Sequence, residues 1–311
     1  MALVSTGVST FIDAFIASTA TSTVPMHWYA IADAAQNQAL PKVLTTSTGM
    51  SHRCLFNTPE GNLVAALSPH LVALPVPSAN AEHPAWKWIE RNARKSPCVT
   101  VLASVLDFET LHAHLQHWIE VLLPDGEDMF FAFWDPAILA VLVGQDTDTT
   151  LNVPGPVFSA AQCSALLQGI QSWWYWDRDG GLQRVHGATQ AARATPATTT
   201  KSIELPLKLT QLQVDMLVEA SVPDHVLSHL QENQPQLFQD LAHHKRYGYV
   251  QRMLTGAQKL GLSAMKDLVN FVSLGLIYRQ RLGQDAQILQ LLQQVQNKTL
   301  TLDEAMTLMP E

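Results

Sequence analysis

The sequence predicts an α/β N-terminal lobe, a mixed sheet with flanking helices, followed by an all-α C-terminal lobe. Three observations predict it. From Trp28 to about Asp179, short β-like runs alternate with helical patterns. Residues 187–204 are rich in Ala and Thr, with Gly187 to Lys201 free of large apolar side chains, which marks a linker. Every later pattern is helical. The expected organisation is therefore an α/β domain over 1–186, a linker over 187–204 and a helical lobe over 205–311.

Near the N-terminus, Phe11, Ala14 and Phe15 fall at i, i+3, i+4 and Ser18 ends the stripe, so a short amphipathic helix is expected. Met1 to Pro25 has no Lys or Arg and is interrupted by Asp13, unlike a secretory signal peptide. Trp28–Ile31, Leu71–Leu74 and Val99–Val105 are strand candidates. Helices are expected at Ala34–Leu40, His83–Arg94 (Trp86 and Ile89 inward) and Phe108–Ile119. This alternation implies some parallel pairing. Trp118–Leu123 is short and apolar enough for a buried strand. Pro124-Asp125-Gly126 makes a turn, since Pro fixes φ, Asp bonds its own backbone and Gly accepts positive φ. Met129–Trp134 then completes a β-hairpin. Asp135 and Pro136 suit the N-cap and first position of a helix starting at Ala137.

In the C-terminal lobe, Thr210 with Gln213 forms a capping box, and Pro223 and Pro235 suit the first positions of two further helices. Gly261 ends one helix and Ser263 starts another, whose stripe is Met265, Leu268, Val269 and Val272. Ile288, Leu291, Leu292 and Val295 make a further stripe, and Thr301 with Glu304 caps the last helix.

The chain has 311 residues, 47% of them hydrophobic, enough for a sizeable core. A net charge of −8 and a pI near 5.8 argue against general binding to nucleic acid or anionic membranes. Three scattered cysteines, Cys54, Cys98 and Cys163, match reduced thiols in a cytosolic protein. No run of 18 apolar residues exists, so no membrane insertion is expected. The expected location is cytoplasmic.

Chemistry-bearing patterns resolve into structural ones. His112, His114 and His117 suggest a metal, but on a helix His112 points away from His114, and no Glu or Cys completes a known spacing. Asp33, Asp107, Asp125 and Asp135 each sit beside a turn or helix start, where a carboxylate accepts backbone N–H groups. No G-x-S-x-G, Walker A or dinucleotide fingerprint occurs. No catalytic residue, metal or cofactor is therefore expected. Trp173-Trp174-Tyr175-Trp176 cannot all face one core, so at least one ring should be exposed or packed against the neighbouring lobe. Trp173, Trp174 and Trp176 are thus candidate partner contacts. His243 to Tyr249 is the one basic cluster of the helical lobe, making Lys245, Arg246 and Tyr249 further candidates.

The span from His114-Leu through Leu123-Pro124-Asp125-Gly126 to Phe131-x-Phe133-Trp134-Asp135-Pro136 resembles the signature of the effector adaptors of bacterial type VI secretion. Tyr29 to Asp33-Ala-Ala35 resembles that family's opening strand and turn, and Ser68-Pro69-His-Leu71 to Leu74 a second strand. Gly155-Pro156, Trp176 and Asp179-Gly180 resemble later landmarks, so the resemblance covers roughly residues 25 to 185. Gln116, His117 and Ala132 stand where the family carries arginines. The resemblance implies a non-enzymatic adaptor or chaperone that holds an effector toxin and loads it onto a VgrG-type spike. The motif residues, Tyr29, Asp33, Pro69, His114, Pro124, Asp125, Gly126, Phe133, Asp135 and Pro136, are expected to be scaffold. The alternatives are a hydrolase-like enzyme with a His and carboxylate site, or an immunity-like protein that blocks a toxin.

Overall fold

Six of the seven residues of β1 (His27–Asp33) are buried, a strand without alternation and hence covered on both faces. The computed structural model, which describes residues 10–19, 24–46, 49–57, 64, 67–187 and 203–310, places β1 inside a six-stranded sheet ordered β2-β3-β1-β4-β7-β8. The other strands are β2 (His52–Cys54), β3 (Pro69–Leu74), β4 (Val99–Ser104), β7 (Ile170–Trp176) and β8 (Leu182–His186). One face is covered by α1 (Thr10–Thr19), α2 (Leu40–Thr46) and α4 (Pro84–Asn92), which contribute Phe11, Phe15, Leu44, Trp86 and Ile89 to a core with Trp28, Val101, Trp174 and Trp176. A short α3 (Pro77–Asn80) lies between β3 and α4.

The helices α5 (Phe108–Gln116), α6 (Pro136–Val143) and α7 (Ala160–Leu166) follow β4, with a second sheet ordered β6-β5-β9. It consists of β5 (Glu120–Leu122), β6 (Asp128–Phe130) and β9 (Leu207–Lys208). Gly155, at φ 74°, comes so near Val141 that a Cβ would sit 2.3 Å from its carbonyl oxygen. Only glycine fits there.

The fold class is the one the sequence predicts, with local corrections. All pairs in the large sheet are antiparallel. Parallel pairing occurs, among the described residues, between β5 and β9. The helix expected over Ala34–Leu40 starts only at Leu40, because Asp33 and Asn37 accept the N–H groups of Ala35 and Ala39 and hold the segment in turns. The hairpin forms, but its strands are shorter than expected, with Phe131 to Trp134 outside β6.

The chain divides into two compact units, Met1–Leu217 and Val218–Glu311. Residues 205–217, expected with the helical lobe, fall in the first unit, where β9 pairs with β5. Residues 188–202 of the expected linker lie outside the described residues. Thr210 and Gln213 do form the capping contacts of α8 (Gln211–Asn233). Pro223, expected to open a helix, lies inside α8. A proline there removes one backbone donor, and the helix persists with Val226 and Leu230 fully buried on its later turns. The second unit packs them with α9 (His243–Lys259), α10 (Met265–Tyr278), α11 (Ala286–Gln296) and α12 (Leu302–Thr307). The Met265 helix is capped at Ala264 rather than Ser263, whereas Thr301 and Glu304 make the expected box. No helix among the described residues is long and apolar enough to cross a membrane.

Candidate partner-binding surface

The β5–β6 hairpin closes on Gly126, at φ 95°, with Asp125 accepting the Glu127 N–H. Its register pairs Glu120 with Phe130, Val121 with Met129 and Leu122 with Asp128. Phe131 N–H donates to Ile119 O, and Leu123 N–H to Glu127 O. In an antiparallel ladder the hydrogen-bonded residues alternate, so those two bonds set the phase. Residues 127, 129 and 131 face β5, and the N–H and C=O groups of Asp128 and Phe130 turn the other way. On that side no strand pairs with β6 among the described residues.

Phe130 is 67% exposed and stacks on half-buried Phe56, with ring centroids 5.1 Å apart. Phe56 meets Trp134 edge-on at 6.0 Å, and Trp134 meets Phe133 at 5.3 Å. Phe133, fully buried, rests on Trp173. An aromatic ladder thus joins the surface ring to the sheet. Asp33 anchors it: one carboxylate oxygen accepts Trp134 Nε1–H at 3.0 Å and the other the Ala35 N–H. Replacing Asp33 by alanine strands both donors, so the urea midpoint should fall by the equivalent of about 2 kcal/mol. An unchanged midpoint would mean that water satisfies them.

The remaining motif residues are also structural in position. Pro69 starts β3 opposite Asp33. Buried Tyr29 donates to Leu106 O, and burial, then the Asp107 carboxylate, push its phenol up to about 12. Asp135 accepts the N–H groups of Ala137 and Ile138, with Pro136 at the first helical position. Pro124 precedes Asp125 in the turn. Of the three clustered histidines, His112 bonds Cys54 O, His114 bonds Leu166 O and His117 is exposed. Among the described residues no group of three or more His, Cys, Asp or Glu converges as a metal site would.

Burial of these rings and of His70 implies a pH dependence, against the smaller opposing effect of their backbone hydrogen bonds. Burial lowers the pKa of His70, His112 and His114 below the usual histidine value. The folded state therefore favours neutral rings, and their contribution is complete above about pH 6.5, the unfolded value. It is lost as pH falls below that, because the unfolded chain binds the protons first. The urea midpoint should drop between pH 7.5 and 5, and His114→Gln should flatten the drop. A flat profile in the unaltered protein would refute this account.

The expectation that one ring of the aromatic run is exposed does not hold. Trp173, Trp174, Tyr175 and Trp176 are all buried, at 0%, 1%, 0% and 4% exposure. They lie on β7, a strand covered on both sides: Trp174 and Trp176 join the core with α1, while Trp173 meets Phe133. In the second unit, Arg246 lies over the Phe238 ring and donates to Leu241 O, and Tyr249 packs into the helical core. Lys245 is exposed. Gln116 donates to Leu55 O. Sequence reasoning missed Phe56 and Phe130. The signal available was the hairpin itself, whose terminal strand carries an aromatic residue. A cavity of about 400 Å³ also opens on the helical face of the large sheet, walled by Ala30, Ala32, Val72, Trp88 and Ile89 with His83 and Arg91.

The fold and this surface define a two-unit protein whose first unit carries an open strand edge beside an aromatic step. Residues 28–152 match the model of a family described as a domain of unknown function, DUF4123. No curated protein and no solved structure matches the chain.

Proposed function

We propose that the chain is a non-enzymatic adaptor that binds a type VI secretion effector in the cytoplasm and loads it onto a VgrG-type spike. The match of residues 28–152 carries this reading, because the matched family is known for effector adaptors of that system. The motif residues support it further: Asp33, Asp125 and Asp135 spend their carboxylates on turns and caps, and His112 and His114 spend a ring nitrogen on backbone carbonyls. Binding is then the task left to the surface. Hand-over to a spike requires an affinity that permits release, so complementarity over a modest surface suffices.

Co-expression of the tagged chain with the products of its neighbouring genes tests the reading. The tagged chain should retain one toxin and, with it, a spike protein, and its deletion should stop delivery of that toxin. Retention of neither protein would overturn the proposal. A retained toxin that is silenced and never delivered would favour the immunity-like alternative instead.

A further inference from the structure

The β6 edge combines three features. The outward backbone groups of Asp128 and Phe130 lack a neighbouring strand among the described residues. Phe130 stands exposed beside them on the Phe56 ring. The charge on the hairpin itself is one-sided: Glu120, Asp125, Glu127 and Asp128 are all exposed, while the exposed Lys208 of the small sheet lies on β9, at the opposite edge. From Ser96 to Asp177 the sequence holds ten Asp and Glu and no Lys or Arg, whereas the whole chain has 19 Lys and Arg. An unpaired edge is a template for another chain. The carboxylates decide which chain, since a second copy would bring the same charges and be repelled, while a basic segment is attracted.

We propose that β6 receives an extended segment of the effector as a fourth strand of the small sheet, a segment carrying Lys or Arg flanking an apolar side chain that covers Phe130. Main-chain hydrogen bonds to Asp128 and Phe130 supply affinity, and Phe130 with the four carboxylates supplies selectivity. This rests on the adaptor reading and adds the mode of recognition and the chemistry of the bound segment.

The test uses the full chain and the toxin that co-purifies with it. Amide exchange at Asp128 and Phe130 should be fast in the free protein and slow in the complex. Asp128→Pro removes an outward donor while leaving the bonds to β5, as edge prolines do, and should weaken binding at least about ten-fold. Phe130→Ser, at an exposed position, should weaken it by about ten-fold, with the melting temperature lowered by no more than the few degrees that loss of the Phe56 stack costs. Glu127→Lys should weaken binding and reduce its salt dependence. A complex that forms without protection of these amides, and that tolerates both Asp128→Pro and Phe130→Ser, overturns the proposal and leaves the adaptor reading standing. Failure of the unaltered chain to bind any neighbouring toxin removes both.

Discussion

Trp174→Ala will destabilise the first unit by about 3–5 kcal/mol, the usual cost of emptying a buried Trp site. Trp174 is 1% exposed, stacks on Trp28 with centroids 5.5 Å apart and lies 4.7 Å from the Phe15 ring. Its ring also carries the Arg184 guanidinium at 5.6 Å, and that group donates to Ser172 Oγ and to Ser18 O. The truncation therefore leaves a cavity between α1, β1 and β7 and uncovers an arginine that links β8 to α1. For a unit of this size the melting temperature should fall on the order of 10 °C. Trp174→Phe should cost clearly less. A loss below about 1 kcal/mol would show that the site collapses and refills.

Asp148→Ala should cost about 2–4 kcal/mol through stranded donors rather than lost volume. Asp148 is 5% exposed and accepts three hydrogen bonds. Thr150 donates its N–H at 2.9 Å and its hydroxyl at 2.6 Å, and the Tyr175 hydroxyl donates at 2.9 Å. Burial and the Asp148 carboxylate raise the Tyr175 pKa far above the usual phenol value, so it remains a donor throughout the working pH range. Asp148→Asn keeps one acceptor oxygen and should fall between the two. Chemical denaturation of the three proteins side by side reads the order directly. Equal stability of Asp148→Ala and Asp148→Asn would refute the stranded-donor account.

Much of the fold was legible because it depends on neighbours in sequence. Caps at Asp107 and Asp135, the turn at Asp125-Gly126 and the box at Thr301 and Glu304 are contacts between residues at most three apart. The α1 stripe and the stripes of α10 and α11 follow from helical periodicity, which burial then matches at Phe11, Phe15, Leu268 and Ile288. The aromatic run was misread because periodicity says which residues share a face but not whether both faces are covered. Pro223 was misread because a proline at a helix start and one inside a helix look alike in sequence.

The candidate surface was less legible. Its hairpin could be named from the sequence, but its open edge could not, since that depends on which strand lies on the far side of β6. Phe56 and Phe130 are far apart in sequence and meet only in the folded chain. The same holds for the Asp33 to Trp134 bond, across 101 positions, and for the Tyr175 to Asp148 bond.

The sequence by itself determined the fold class, most caps and turns, and the motifs that resemble an adaptor family, because each rests on spacing within one segment. The tertiary structure alone decided the antiparallel order of the large sheet, the burial of all four rings of β7 and the pairing of Leu207 and Lys208 with β5. It also decided that the strand after Pro124-Asp125-Gly126 ends as an exposed edge. These are outcomes of competition between distant segments for the same partners, and no local pattern encodes the winner.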